Sequence, residues 1–210
     1  MIFLSRVVIN SVVPQRRKML YDCYELHRSI MSAFPDEKGD ARRNFDVLFS
    51  IQIKENIAEL IVQSSIKPDW EQSSLNPRFT DETFRCKEIG GIIEEALKKQ
   101  KFFLFQLTAS PTKKIYSEGK NSKRILLTKE EEQIDWLTRK GQQNGFEISL
   151  PSIALHPFEA KSGRKKGIFF RSIQFSGKLI VTEPTRFLNA LVGGIGSEKA
   201  FGCGLLMLSR

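Results

Sequence analysis

The two side chains best suited to acid–base chemistry are those of Tyr24 and His27. An imidazole gives or takes a proton near neutral pH, and a spacing of three residues on a helix places both groups on one face. The apolar periodicity of residues 20–34 predicts such a helix, with His27 inside its apolar stripe. His27 is therefore either a satisfied core histidine or a group facing a cleft, while His156, before Pro157, is predicted to be structural.

A second candidate site is a glycine-rich stretch near the C-terminus. Two Gly-x-Gly pairs flank a lysine there, and glycine allows positive φ angles and close approach of the backbone to a ligand. The stretch follows a predicted helix and precedes a predicted strand, the reverse of a Rossmann fingerprint, and it lacks the Gly-Lys-Ser/Thr of a Walker loop. It is either a tight helix-to-strand turn or a loop that contacts phosphate. Its glycines are Gly194, Gly196, Gly202 and Gly204, and its lysine is Lys199.

Charge indicates a polyanionic partner. The formal net charge is +9, and the basic residues form three clusters, at Arg16–Lys18, Lys113–Lys129 and Lys161–Arg171. A solvated face would explain any one cluster, but three in one chain favour nucleic acid. Contacts of this kind give salt-dependent affinity rather than sequence selection.

Composition excludes several classes of protein. Hydrophobic residues make up 40% and charged residues 27%, which predicts a folded core. No apolar run approaches the ~20 residues of a membrane span. The cysteines at 23, 86 and 203 lie far apart, without zinc spacing, and predict reduced thiols in the cytoplasm. We predict no metal and no cofactor.

The order of predicted elements indicates an α+β fold with two tandem ferredoxin-like (βαββαβ, RRM-like) domains. We predict an N-terminal domain at 1–112, a basic linker at 113–123 and a C-terminal domain at 124–210. In the first domain, a loop at 14–18 precedes the helix at 20–34, and a strand at 102–107 closes the domain. Residues 89–101 fit either a helix or a strand.

The motifs together resemble the CasE/Cse3 family of CRISPR-associated endoribonucleases. The resemblance rests on Tyr24-Glu25-Leu26-His27 with Phe34-Pro35, on Trp136-Leu137-Thr138-Arg139-Lys140, and on the terminal glycine stretch. It covers essentially the whole chain in order. It implies two ferredoxin-like halves and cleavage of CRISPR precursor RNA within the repeat, beside a stem-loop. It also implies retention of the mature crRNA and assembly with other Cascade subunits, especially the backbone subunit.

The resemblance assigns roles to individual residues. His27 would be the catalytic histidine with Tyr24 beside it, and Lys161–Arg171 would be a basic hairpin that holds the RNA stem. Arg28, next to His27, is the candidate for stabilising developing charge. The candidate RNA-binding residues are Arg16, Arg17, Lys113, Lys161, Arg164, Lys165, Lys166, Arg171 and Lys199.

The expected chemistry needs no metal, because the chain offers two histidines and no evident carboxylate constellation. The RNA 2′-hydroxyl would attack the adjacent phosphorus and leave a 2′,3′-cyclic or 3′-phosphate and a 5′-hydroxyl. His27 fits either the base or the acid of this reaction. Two alternatives stay open: a non-catalytic protein that binds structured RNA on the same fold, and a small-molecule phosphate or nucleotide binder that uses the glycine stretch.

Overall fold

The computed structural model of the chain describes residues 1–37, 39–75, 84–117, 120–163 and 168–209, without the side chains of 116–117, 120–122, 157–163 and 168–170. Strands and helices alternate along it. The strands are β1 (Phe3–Asn10), β2 (Leu48–Lys54), β3 (Ile57–Ser64), β4 (Arg85–Glu88), β5 (Phe102–Ala109), β6 (Thr112–Ser117), β7 (Lys120–Leu126), β8 (Phe146–Ile148), β9 (Ala154–Gly163), β10 (Ile168–Val181) and β11 (Leu206–Ser209). The helices are α1 (Pro14–Tyr21), α2 (Cys23–Met31), α3 (Ala41–Asn44), α4 (Gly90–Lys99), α5 (Glu130–Gln143) and α6 (Pro184–Gly193).

The first sheet is built by the N-terminal part of the chain. Its strand order is β2-β3-β1-β4, with antiparallel neighbours throughout. Val7 and Ile9 of β1 share a buried core with Leu26 and Ile30 of α2. The apolar stripe that the sequence predicts on this helix therefore packs against the sheet.

The second sheet repeats the same arrangement. Its order is β11-β5-β10-β8, again antiparallel, and β9 pairs with the other half of β10. Trp136 and Leu137 of α5 and Phe187 and Leu191 of α6 lie in its core. With β9 left out of the count, the strands of each sheet follow the order fourth, first, third, second. The predicted class of two tandem ferredoxin-like units is confirmed.

The division between the two sheets differs from the predicted domain boundaries. β5, which the sequence analysis assigned to the first domain, pairs with β10 and β11 and is the first strand of the second sheet. The predicted linker at 113–123 falls within an antiparallel hairpin of β6 and β7. A short apolar run identifies a strand but not its partner, which is why the run at 102–107 did not indicate its sheet. The chain leaves the first sheet after β4, and residues 90–99 form α4.

Two hairpins carry the basic clusters of the second half. β6 and β7 form a separate two-stranded sheet. β9 and β10 pair antiparallel on either side of residues 164–167, which lie outside the described residues. No helix in the described part of the chain is both long and apolar enough to cross a membrane.

Candidate active site

The helix that carries Tyr24 and His27 begins after a sharp break at Asp22. Asp22 has an extended backbone (φ −104°, ψ 108°), and its carboxylate accepts hydrogen bonds from the amides of Tyr24 (3.0 Å) and Glu25 (3.3 Å). This cap satisfies amides that the first turn of a helix leaves without partners. The sequence analysis expected one helix at 20–34 after a loop. The structure instead has two, because Pro14 starts α1 and the cap at Asp22 starts α2 afresh.

α2 lies where the two ferredoxin-like units meet. It packs against β9 of the basic hairpin and against a 3-10 turn, Lys199–Phe201, within the glycine-rich stretch. The ring of Tyr24 contacts the ring of Phe201 edge to face, with 5.5 Å between centroids. His27, one turn further along α2, is half-buried rather than sealed. Tyr24 and His27 thus lie on α2 at the junction of the two units, which we call the crevice.

The surroundings of His27 favour a neutral imidazole. Burial lowers the pKa of His27 below its ordinary value, the nearby Arg42 guanidinium lowers this pKa further, and Asp40 partly offsets the effect. The ring is therefore unprotonated at neutral pH in the free protein. A neutral ring accepts a proton, which is what a general base must do.

Arg42 is a cation that the sequence analysis did not select. It lies on the short helix α3, its side chain is only 17% exposed, and it forms an ion pair with Asp40 at 3.9 Å. With residues 196–201 it lines a cavity of about 320 Å³. Arg42-Arg43 follows Gly39 in a polar segment after the His27 helix, and this pair of arginines is the signal that could have identified it.

The predicted charge-stabilising residue Arg28 has a different environment. Its guanidinium forms an ion pair with Glu25 on the same helix, and its side chain is 74% exposed. Arg42 is therefore better placed than Arg28 to act on a phosphate in the crevice.

The glycine-rich stretch is a compact turn held by its own backbone. The amide of Ile195 donates to the carbonyl of Gly204 (2.9 Å), and the amide of Gly204 donates to that of Thr108 on β5 (2.8 Å). The amides of Phe201 and Cys203 both donate to the carbonyl of Glu198. These four donors are not available to a ligand, which argues against the nucleotide-binder alternative. The predicted glycines Gly194, Gly196, Gly202 and Gly204 all have positive φ angles.

Lys199 connects this turn to the crevice. Its ammonium donates to the carbonyl of Gly193 at the end of α6. Burial lowers the pKa of Lys199, Arg42 lowers it further, and Asp46 opposes them. Asp46 is a carboxyl whose pKa is raised by burial and lowered by Arg42 and Lys199. A half-buried cluster of charges thus lies beside the Tyr24–Phe201 contact.

The other predicted RNA-binding residues are spread over several elements. Arg16 and Arg17 lie on α1, directly before the His27 helix, and Lys113 forms an ion pair with Glu132 of α5 at 3.1 Å. Arg171 is exposed where the pairing of β9 and β10 shifts register. Lys161 lies on β9 with its side chain not described, and Arg164, Lys165 and Lys166 lie outside the described residues.

Within the described ranges, no three His, Cys, Asp or Glu side chains come together as a metal site would require.

Comparisons with known proteins agree with this architecture. A family profile described as "CRISPR associated protein" matches residues 2–210. The chain is 27% identical over 221 residues to the CRISPR-associated endoribonuclease Cse3 of Thermus thermophilus, with 99% of both chains covered. It is 29% identical over 218 residues to the CRISPR system Cascade subunit CasE of Escherichia coli, covering 99% of this chain and 98% of the relative.

A solved structure of the CRISPR endoribonuclease Cse3 bound to a 19 nt RNA has the same fold. It matches this chain with a TM-score of 0.80 and 26% identity, and 100% of each chain is covered. The fold, the length and the family profile all agree with the resemblance found in the sequence, and that prediction is confirmed: the chain belongs to the CasE/Cse3 family of CRISPR-associated proteins.

Proposed function

We propose that this protein is an endoribonuclease that cleaves CRISPR precursor RNA within the repeat, beside a stem-loop, to give mature crRNA. The observation that carries the proposal is the position of His27. Its half-buried imidazole lies on a helix that contacts both the basic β9–β10 hairpin and the glycine-rich turn. A stem held by the hairpin would bring its base, and the strand beside it, next to this ring.

The reaction is a transesterification within the RNA. His27 takes the proton of a 2′-hydroxyl, the 2′ oxygen forms a bond to the adjacent phosphorus, and the bond to the 5′ oxygen breaks as that oxygen takes up a proton. The products are a 2′,3′-cyclic phosphate, or the 3′-phosphate formed on its hydrolysis, and a 5′-hydroxyl. Alignment of the 2′-hydroxyl with the leaving oxygen supplies much of the rate.

Three other side chains support this chemistry. Arg42 and Lys199 place positive charge at the cavity beside α2, where a phosphorane would develop negative charge. Tyr24 is held by its ring contact with Phe201, so its hydroxyl has a restricted range of positions from which to bind the phosphate or the kinked strand. Each group acts from the protein alone, and the reaction proceeds without a metal ion.

The product stays bound. A basic hairpin that contacts the stem through phosphates does not lose those contacts when a strand beside the stem is cut. The protein is accordingly a subunit of a Cascade-type surveillance complex that carries the crRNA, and it docks on the backbone subunit. It acts in the cytoplasm, where the precursor RNA is made.

The test is cleavage of a synthetic CRISPR repeat stem-loop RNA in EDTA. We expect cleavage by the wild-type protein, loss of cleavage but not of binding in His27→Ala, and normal cleavage in the control His156→Ala, which removes the other histidine. Binding without cleavage by the wild-type protein would favour the non-catalytic alternative. Cleavage that requires added Mg²⁺ would contradict the metal-independent mechanism.

A further inference from the structure

A second, larger cavity also borders the glycine-rich turn. It has a volume of about 430 Å³, and the β6–β7 hairpin, the C-terminal half of α5 and residues 194–197 line it. None of the described residues that line it is acidic. We call this cavity the α5 basin. Five cations line it: Lys114, Arg124, Arg139, Lys140 and Lys199.

The cations of the α5 basin repel one another in the free protein. Lys114 on β6 is directly opposite Arg124 on β7, and like charges at such a position destabilise a strand pair. Burial lowers the pKa of Lys140, and Arg139 and Arg124 lower it further. The C-terminus of α5 attracts a cation such as Lys140.

The α5 basin is continuous with the crevice of the candidate active site. It shares Gly196, Ser197 and Lys199 with the smaller cavity lined by Arg42 and Phe201. Phe201 in turn contacts Tyr24 on the His27 helix. A strand that leaves the crevice along the glycine-rich turn therefore enters the α5 basin.

The lining of the α5 basin favours phosphate over nucleobase. Trp136 is 3% exposed and stacks on Phe175, so it offers no free face to a base. A concavity of this volume accepts a ligand of one or two nucleotides, within the ~300–1,000 Å³ of small-molecule pockets, but not a rigid A-form stem.

We propose that the α5 basin binds the backbone phosphates of the single-stranded RNA that flanks the stem-loop next to the cut. This inference rests on the proposed function, and it assigns the flanking strand, rather than the stem, to a site distinct from the β9–β10 hairpin. Neutralisation of the facing cations by RNA phosphates removes the repulsion present in the free protein.

The test compares two RNAs that cannot be cleaved. Both contain 2′-deoxynucleotides at the base of the stem; one keeps the single-stranded flanks, and the other is trimmed to the stem-loop. The variant Arg124→Gln/Lys140→Gln should bind the flanked RNA about tenfold or more weakly. The slope of its log binding constant against log salt concentration should be smaller in magnitude by about 1.4, or about 0.7 for each lost contact. It should bind the trimmed RNA like the wild type.

The control variant Lys98→Gln/Lys99→Gln removes the same charge from exposed positions on α4 and should not distinguish the two RNAs. The melting temperature of the basin variant should be unchanged or higher, since like charges have been removed. An equal loss on both RNAs, or no loss on either, overturns the proposal. Because binding is measured without cleavage, this result is independent of whether the wild-type protein cuts the repeat.

Discussion

At the scale of single residues, the positive charge that acts on the candidate base His27 does not come from its neighbour in sequence. Arg28 follows His27 directly, but it projects into solvent and pairs with Glu25. Arg42 is fifteen positions away and is the cation that acts on the pKa values of His27, Asp46 and Lys199. Exposed charges are screened by water, whereas a mostly buried guanidinium acts at low dielectric constant.

We therefore expect Arg42→Gln to lower the cleavage rate of a bound repeat RNA by about 10²-fold, because a preorganised cation is lost from the crevice. Arg28→Gln, which removes the same charge from the adjacent solvent face, should change the rate by less than about threefold. Single-turnover cleavage at saturating protein measures both. Equal effects of the two substitutions would refute the assignment of Arg42.

The lowered pKa of His27 sets the expected acid limit of activity. A base must be unprotonated, so the decline of kcat/KM with falling pH should be centred below about 6.5. Arg42→Gln removes a cation that lowers this pKa, so its decline should begin at a higher pH. Profiles of kcat/KM from about pH 4.5 to 8 test both statements. A wild-type decline centred above about 6.5 would show that His27 is not the base, or that its environment differs.

At the scale of elements, the glycine-rich turn is fitted against the first sheet. Gly194 has a φ of +74°, and a Cβ added to it would lie 2.7 and 2.8 Å from the two methyl carbons of Leu48 on β2. Leu48 is 1% exposed, so it has no free space into which to move. The same turn holds Lys199 and Phe201, so its position decides where the cavity beside α2 lies.

Gly194→Ala should accordingly destabilise the protein by about 1–3 kcal/mol, since it adds both backbone strain and a clash. At this chain length each kcal/mol corresponds to about 2–4 °C in melting temperature. Gly193→Ala is the matched control, because a Cβ at that position contacts nothing within 4 Å and the residue lies in α6. Thermal unfolding followed by circular dichroism compares them, and equal melting temperatures would contradict the strain argument.

The sequence allows the local elements to be predicted better than their partners. The spacing of Tyr24 and His27 and the Gly-x-Gly pairs are local patterns, so the residues of the crevice could be selected without coordinates. The Arg42-Arg43 pair is visible in the sequence, but no local pattern indicates that Arg42 acts on His27. In the same way, the apolar run at 102–107 identifies β5, but its pairing with β10 is a contact between residues more than sixty positions apart.

At the scale of the whole molecule, a buried amide joins the two units. The side chain of Gln63 on β3 donates to the carbonyls of Leu191 (2.8 Å) and Val192 (3.4 Å) at the end of α6. Gln63 is 5% exposed. It therefore links the first sheet to the helix from which the glycine-rich turn begins.

Gln63→Ala should lower the free energy of unfolding by about 1–3 kcal/mol, because it leaves buried carbonyls without their donor and creates a void. Gln142→Ala, at an exposed position of α5, should change the free energy of unfolding by less than about 0.5 kcal/mol. Urea unfolding monitored by tryptophan fluorescence and by circular dichroism distinguishes the variants. A stability of Gln63→Ala equal to that of the wild type would show that the amide does not hold the units together.

The described chain passes from the first sheet to the second once, through α4. The enzyme could therefore be divided into two fragments there. A break in the segment between β4 and β5 would leave each fragment with a complete set of sheet strands. One fragment would carry His27 and Arg42, and the other would carry Lys199 and both basic hairpins. Neither would contain all of the proposed catalytic residues, so nuclease activity would report the reassociation of two separately expressed polypeptides, as in a split-reporter assay.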